Sequence, residues 1–468
     1  MPLQASIFTY DIIDTDTILK KLRGLTMNTI HKKHISSFNI IIYGFAGVIL
    51  LGTLLLMLPI SSASGCVTPF SDAIFTATSS VCVTGLVVHD TALYWSAFGQ
   101  AVILTMIQIG GLGVVTIAVA SAIIARRKIG LMQRSTMQES ISAPNVGGIV
   151  RLTNFILKTT FAVELLGALC LLPIFLKDFG VRGIWMSFFH SISAFCNAGF
   201  DLMGSKGAFS SLTSYSGHVV INIVIMSLII IGGIGFLVWD DIKTHKFQFH
   251  KYRMQSKVVL STTLVLIVIP AVYFYFCEFG TVAGENRILY SLFHSITPRT
   301  AGFNTIDLCE LSSTGKMITI MLMLIGGSPG STAGGMKTTT VAVLIFSSIS
   351  VFRRKDNVEC FDRRIADSAI KNASAILLMY LILFLSGGIL ISKIEALPLM
   401  DCLFETASAI GTVGLSLGIT SVVGGISRTI LIFLMFFGRV GGLTLIFATV
   451  SAAHHNVSKK PQEKITVG

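Results

Sequence analysis

Charge is what this 468-residue chain has least of: Asp, Glu, Lys and Arg make up 12% of it, while 53% is apolar. Soluble domains carry roughly a quarter charged residues, so a water-soluble globular class is excluded and a bilayer implied. Metal-site spacing is also missing. The eight cysteines, Cys66, Cys82, Cys170, Cys196, Cys277, Cys309, Cys360 and Cys402, form no CxxC or Cys/His pattern. No Ser/His/Asp set or carboxylate pair lies within the apolar stretches, so no enzyme is expected. Neither a Walker loop nor a GxGxxG after a strand occurs; any nucleotide control, and with it any organic cofactor, belongs to another polypeptide. Residues 1–35 are polar and basic, without the short apolar core and cleavage site of a signal peptide.

Basic residues are absent where they would matter most for a nucleic-acid surface. The net charge is +12, yet 60–97 holds no Lys or Arg and 278–287 only Arg287. The positive charges gather instead at the N-terminus, at 126–134, 243–257 and 353–371, and in the tail. That alternation is the positive-inside pattern. It predicts a multi-pass membrane protein, with both termini cytoplasmic and no nucleic-acid partner.

At least eight apolar stretches approach the roughly 20 residues a hydrocarbon core requires. Between them one short polar segment recurs four times: FTATSSVCVTGL (75–86), FHSISAFCNAGF (189–200), FHSITPRTAGF (293–303) and FETASAIGTVGL (404–415). Each opens on Phe (75, 189, 293, 404), has a hydroxyl four residues on (Ser79, Ser193, Thr297, Ser408) and reaches Gly85, Gly199, Gly302 or Gly414. Those glycines lie 114, 103 and 112 residues apart. Each repeat then carries a Gly-rich element, at 109–113, 231–235, 325–330 and 437–442. Internal repetition of this order sets the architecture: an all-α membrane protein of four span–pore-loop–span repeats, eight transmembrane helices, with pseudo-fourfold symmetry about a central pore. The expected boundaries are a cytoplasmic segment 1–35, pore repeats 36–128, 150–243, 256–355 and 370–455, and a cytoplasmic tail 456–468.

The Phe-to-Gly segments are too short to cross a bilayer. Irregular backbone at membrane depth is tolerated only when buried in protein or lining water. Four copies around one axis would present rings of carbonyls able to replace a cation's hydration shell, and glycine allows the close backbone approach this needs. The expected lining is Val83, Thr84 and Gly85; Asn197, Ala198 and Gly199; Thr300, Ala301 and Gly302; Thr412, Val413 and Gly414. No acidic ring stands at the glycine level, which favours a large monovalent cation over calcium. For any one glycine, close helix packing is the alternative.

These segments resemble the pore loops of the Trk/Ktr/HKT superfamily of potassium transporters, and GRVGGLT resembles the element in its last helix. The resemblance covers about residues 36–455, and all four pore segments match in order. It implies a K⁺ filter at the four glycines, with Gly85 where sodium-preferring plant members carry serine. Eight spans look like the bacterial Ktr-type membrane subunit, whereas GGSPGSTAGGMK (326–337) looks more like the Trk-type loop; a Trk-type subunit is the alternative. A coupled secondary transporter would instead show inverted repeats and several intramembrane acids. The resemblance further implies K⁺ as transported ion, Na⁺ as a candidate activator, a homodimer in the lipid bilayer, and a ring-forming cytosolic nucleotide-binding regulatory subunit.

Five glycines and a proline in 326–340 cannot hold a stable helix. The resemblance makes this stretch an intramembrane gate loop, with Gly326, Gly327, Ser328, Gly330, Ser331, Thr332, Gly334, Gly335 and Lys337 as gate residues beside Arg439. Arg439 would cost about 2.5–3.5 kcal/mol facing lipid; it either forms an electrostatic barrier below the filter or joins a structural ion pair. Glu164 is the one clear intramembrane acid, expected to hydrogen-bond. Asp201, Asp307 and Glu310 are expected outside, where acids raise the local cation concentration. Cys82 and Cys196 either line the cavity or fill space.

Overall fold

The computed structural model describes residues 37–125, 129–141, 147–280, 285–442 and 444. The terminal segments 1–35 and 456–468, and residues 445–455 of the fourth repeat, lie outside the described residues. The described part is helical apart from loops and one small hairpin, β1 (Glu359–Cys360) paired antiparallel with β2 (Arg363–Arg364).

The first repeat runs through α1 (Ser37–Met57), α2 (Phe70–Val81), a single turn α3 (Thr91–Tyr94), α4 (Ala97–Leu112) and α5 (Val114–Ile124), followed by α6 (Leu131–Ser140). The second has α7 (Ile149–Phe179), α8 (Arg182–Phe195), α9 (Val219–Gly233) and α10 (Phe236–His245). The third has α11 (Met254–Tyr273), α12 (Glu285–Ile296), α13 (Ser313–Leu324) and α14 (Thr338–Phe352); the fourth has α15 (Asp367–Glu395), α16 (Leu399–Gly411) and α17 (Gly425–Val440).

The opening helices α1, α7, α11 (with its continuation to Glu278) and α15 are long and apolar enough to cross a membrane. Helices α2, α8, α12 and α16 hold only 12, 14, 12 and 13 residues, or about 18–21 Å at 1.5 Å per residue, short of a ~30 Å hydrocarbon core. Their phenylalanines Phe75, Phe189, Phe293 and Phe404 are buried in the core.

The closing spans are where the structure departs from eight continuous crossings. Helices α4 and α5 meet at 94°, and α9 and α10 at 95°. Gly113 (φ +88°) and Gly235 (φ +96°) stand at those breaks, in a backbone conformation that glycine adopts without steric cost. In the third repeat a loop replaces the bend, leaving α13 and α14 as separate short helices. Among the described residues four helices are thus long and apolar enough to span, or six when each bent pair counts as one. The Gly-rich elements trade helix continuity for backbone turned toward the centre.

Candidate functional site

The four short helices end on four extended segments that meet in a ring. A Cβ added to Gly85 would strike Ala198 O; one on Gly199 would lie 2.8 Å from Ala301 O; one on Gly302 would strike Val413 O; one on Gly414 would strike Thr84 O. Each glycine therefore faces the carbonyl just ahead of the next repeat's glycine, and the fourth closes on the first. All four border one cavity of about 250 Å³.

Backbone conformation repeats with the same register. Val83, Asn197, Thr300 and Thr412 have φ of 57°, 59°, 70° and 51°, and the glycines two residues on have 93°, 68°, 79° and 96°. Three of those four non-glycine residues are β-branched, for which positive φ is an outlier. Each such residue costs on the order of 1–3 kcal/mol and persists only where its surroundings over-determine it.

The recurring hydroxyl residue supplies that constraint, through its carbonyl and its side chain. Thr84 N donates to Ser79 O at 2.8 Å and Gly85 N to Ser79 Oγ at 3.1 Å. In the fourth repeat Val413 N and Gly414 N bond Ser408 in the same way, at 2.8 and 3.0 Å. In the second and third, Ser193 Oγ and Thr297 Oγ1 donate instead to the carbonyls of Phe200 (2.7 Å) and Phe303 (2.5 Å). The Asn197 and Thr300 side chains meet at 3.2 Å across the boundary between repeats. Thr84 Oγ1 and Thr412 Oγ1 are buried with no protein partner among the described residues. Carbonyl and hydroxyl oxygens with no carboxylate suit a weakly hydrated monovalent cation.

On one side of the ring the cavity is acidic. Asp90, Asp201 and Asp307 line it; Glu310 does not. The sequence reading did not single out Asp90, whose carboxylate caps α3 through Ala92 N and Leu93 N and also accepts from Phe209 N at 2.8 Å. Only the helix-start pattern of an Asp ahead of TALY pointed to it. Burial pushes the Asp201 carboxyl up to about 7, and Asp90 adds to this while Met203 N–H opposes it. Asp201 lies outside the spanning helices.

On the other side lies the 326–337 stretch. Gly334 sits directly against Thr412, since a Cβ there would lie in the Thr412 side chain. Gly326 N donates to Met336 O at 2.8 Å, closing the loop's base. Ser328 N and Thr332 N donate to Gly233 O and Gly232 O, Phe236 N to Gly330 O, and Gly335 N to Gly438 O. Gly327 O accepts from Thr338 N, Ser331 Oγ donates to Ser328 O, and Thr332 Oγ1 to Phe195 O. Lys337 Nζ caps the carbonyls of Ala333 (2.8 Å) and Gly334 (3.3 Å). A second cavity, about 290 Å³, lies beneath, lined by Gly330, Ser331, Lys337, Arg439 and Glu139 among others, and none of the four ring glycines borders it.

Arg439 makes no ion pair among the described residues. Its guanidinium donates to Thr332 O of the loop and to Gly110 O and Gly111 O of the first repeat, the last at 3.0 Å. Backbone carbonyls, two of them in the Gly-rich element of the first repeat, hold the guanidinium in place of the ion pair that was one of its two expected roles. Glu164 accepts from Gln108 Nε2 at 2.9 and 3.2 Å. The Cys82 and Cys196 side chains are fully buried; the Cys196 thiol points to Gln108 and Glu164, away from the ring's cavity.

Comparison with known proteins places the chain in a family. The family described as TrkH, a cation transport protein, matches residues 17–459. The potassium/sodium uptake protein NtpJ of Enterococcus hirae is 39% identical over 93% of this chain and 98% of its own. Ktr system potassium uptake protein B of Bacillus subtilis is 37% identical over 90% and 95%, and its Vibrio alginolyticus counterpart 31% identical over 92% and 94%. The crystal structure of the potassium transporter TrkH from Vibrio parahaemolyticus shares the fold at a TM-score of 0.70, covering 92% of this chain and 89% of that one at 16% identity. The chain belongs to the TrkH family of cation transport proteins, with Ktr and NtpJ proteins among its relatives.

Proposed function

We propose that this chain is the K⁺-translocating membrane subunit of a bacterial potassium uptake system. K⁺ passes through a filter built by Val83–Gly85, Asn197–Gly199, Thr300–Gly302 and Thr412–Gly414. The observation that carries this is the closed ring, in which every glycine abuts the carbonyl of the next repeat. Eight crossings in four repeats bring the ring to the membrane's middle, with the acidic cavity outside and both termini in the cytoplasm. Carboxylates at the mouth concentrate cations, and the carbonyl ring replaces their water.

Gly326–Lys337 is the gate. Its hydrogen bonds to the second and fourth repeats, and the Arg439 bridge to the first, hold it across the path between the two cavities. Opening requires those bonds to be exchanged, which suits control from the inner face. A ring-forming nucleotide-binding subunit docked there, on a homodimer of this chain, would supply that control; relatives that bear the name of a Ktr system support such a partner. Sodium enters the proposal because one relative is named for potassium and sodium together. Na⁺ is then a second permeant ion or an activator.

Rubidium and sodium tracer uptake into proteoliposomes tests the filter, with Gly85→Ser alongside. A side chain at Gly85 meets both a φ of +93° and Ala198 O, so discrimination should fall in the variant. Wild-type uptake of rubidium that resists excess sodium is the expected result. Equal uptake of both ions, or no flux with the cytosolic partner supplied, overturns the assignment.

A further inference from the structure

A large cleft lies away from the ring, between the start of α7 and α10. It encloses about 950 Å³. Arg151, Phe155, Lys158 and Ala162 line it from α7 at spacings of four, three and four residues, which is one face of a helix. Leu237, Asp240, Lys243 and Thr244 line it from α10.

Its charge is unbalanced. Arg253, at the rim, is taken up by Asp240 at 2.9 Å and Asp241 at 3.4 Å. Among the described residues Arg151, Lys158 and Lys243 meet no carboxylate. The Lys243 ammonium sits 4.2 Å from the centre of the Phe155 ring, which leaves its donors free for an anion. Leu152, Phe155, Val163 and Leu237 give the wall an apolar part, beside the polar side chains of Asn154, Thr159 and Thr244. Along the same spanning helix, just beyond Lys158, Phe161, Leu165, Leu166 and Leu169 stand exposed. An apolar face on a spanning helix meets acyl chains, so the cleft is continuous with lipid.

We propose that this cleft binds the headgroup of an anionic phospholipid. The phosphate sits among Arg151, Lys158 and Lys243, and the first methylenes run along Phe155 and Val163 toward the exposed apolar face. Basic pockets between spanning helices recognise anionic headgroups in this way. A free inorganic anion would use the three cations and leave the apolar wall without a partner. The site also bears on the loop under the ring, because α10 begins at Phe236, whose N–H donates to Gly330 O at 2.7 Å. Binding itself is independent of which ion the ring conducts.

Native mass spectrometry of the purified full chain tests this, in micelles holding equal phosphatidylglycerol and phosphatidylcholine. Wild type should retain phosphatidylglycerol preferentially. The triple variant Arg151→Gln, Lys158→Gln, Lys243→Gln should lose that preference, at roughly fivefold per charge removed. A control losing three charges at the hairpin, Lys355→Gln, Arg363→Gln, Arg364→Gln, should behave as wild type. Should the triple variant not fold, Lys158→Gln alone should still weaken retention about fivefold. Equal retention in variant and control would overturn the proposal and leave the cleft to an acidic protein segment. Stabilisation of wild type by inorganic phosphate alone, as large as that by phosphatidylglycerol and absent from the triple variant, would overturn it in favour of a free-anion site.

Discussion

Val83, Thr300 and Thr412 hold a left-handed backbone that β-branched residues avoid, and the hydroxyls and carbonyls of Ser79, Thr297 and Ser408 bond each segment there. Ser79→Ala would leave the buried Gly85 N–H without its acceptor at a cost of about 1–3 kcal/mol. Rubidium-over-sodium discrimination should fall in that variant at temperatures where it is still folded, as tracer competition would report. The mouth offers a second test. With its carboxyl raised to about 7 by burial and Asp90, Asp201 is charged above that pH and neutral below it. Uptake at low rubidium should therefore decline as outside pH falls through about 7, and Asp201→Asn should flatten that limb while lowering uptake at pH 8. The glycines were legible in the sequence because four copies of one pattern stood in register. Asp72, Asp90 and Gln108 were not, because each acts through a partner remote in the chain, and a lone polar residue in one sequence names no partner.

The 326–337 loop was legible as a break, since no helix tolerates that density of glycine and proline. What it binds was hidden, because its partners are backbone carbonyls and amides of Gly232, Gly233 and Gly438, which carry no side-chain signature. The same holds for Arg439, expected to find an acid or stand free as a barrier and found bonded to three carbonyls. Each hydrogen bond to a charged group contributes about 1.5–3 kcal/mol, so if the loop is the gate we propose, losing one shifts its closed-to-open ratio by roughly tenfold or more. Arg439→Gln should raise basal rubidium flux without the cytosolic partner, with the ion preference unchanged. A barrier role alone predicts a similar rise, and Arg439→Lys separates the two: it keeps the charge but not the three-way span. Flux that stays raised in Arg439→Lys assigns the residue to the loop; flux restored to wild type assigns it to the field. Unbroken closing spans in the first two repeats were the natural expectation from apolar length, and hydropathy is blind to the 94° and 95° turns because glycine is nearly neutral on that axis.

Four repeats on one chain leave a seam where the last must meet the first, with no covalent link across it. At the ring, Gly414 meets Thr84. Further out, Arg428 at the start of α17 reaches Asp72 in α2, a residue 356 positions away, with Nη1 at 2.7 Å from Oδ1. Arg428 also donates to Val423 O at 3.0 Å and Ser421 O at 3.2 Å, and Asp72 Oδ2 lies 2.9 Å from His89 Nε2. The two side chains are only 19% and 13% exposed, so removing Arg428 leaves a part-buried carboxylate with only His89 and Ser71 to bond it. Arg428→Met should then destabilise the protein by about 3–5 kcal/mol, read as a lower midpoint in thermal unfolding. Asp72→Asn in the same chain removes the stranded charge and should recover part of that loss. If the double variant is instead as unstable as the two single losses added together, the pair is not coupled, and the seam is held by packing at the ring alone. Selectivity separates the two kinds of seam as well: a weakened clamp that still leaves Gly414 on Thr84 should lower stability before it lowers ion preference, since the ring's own bonds to Ser79 and Ser408 lie within single repeats.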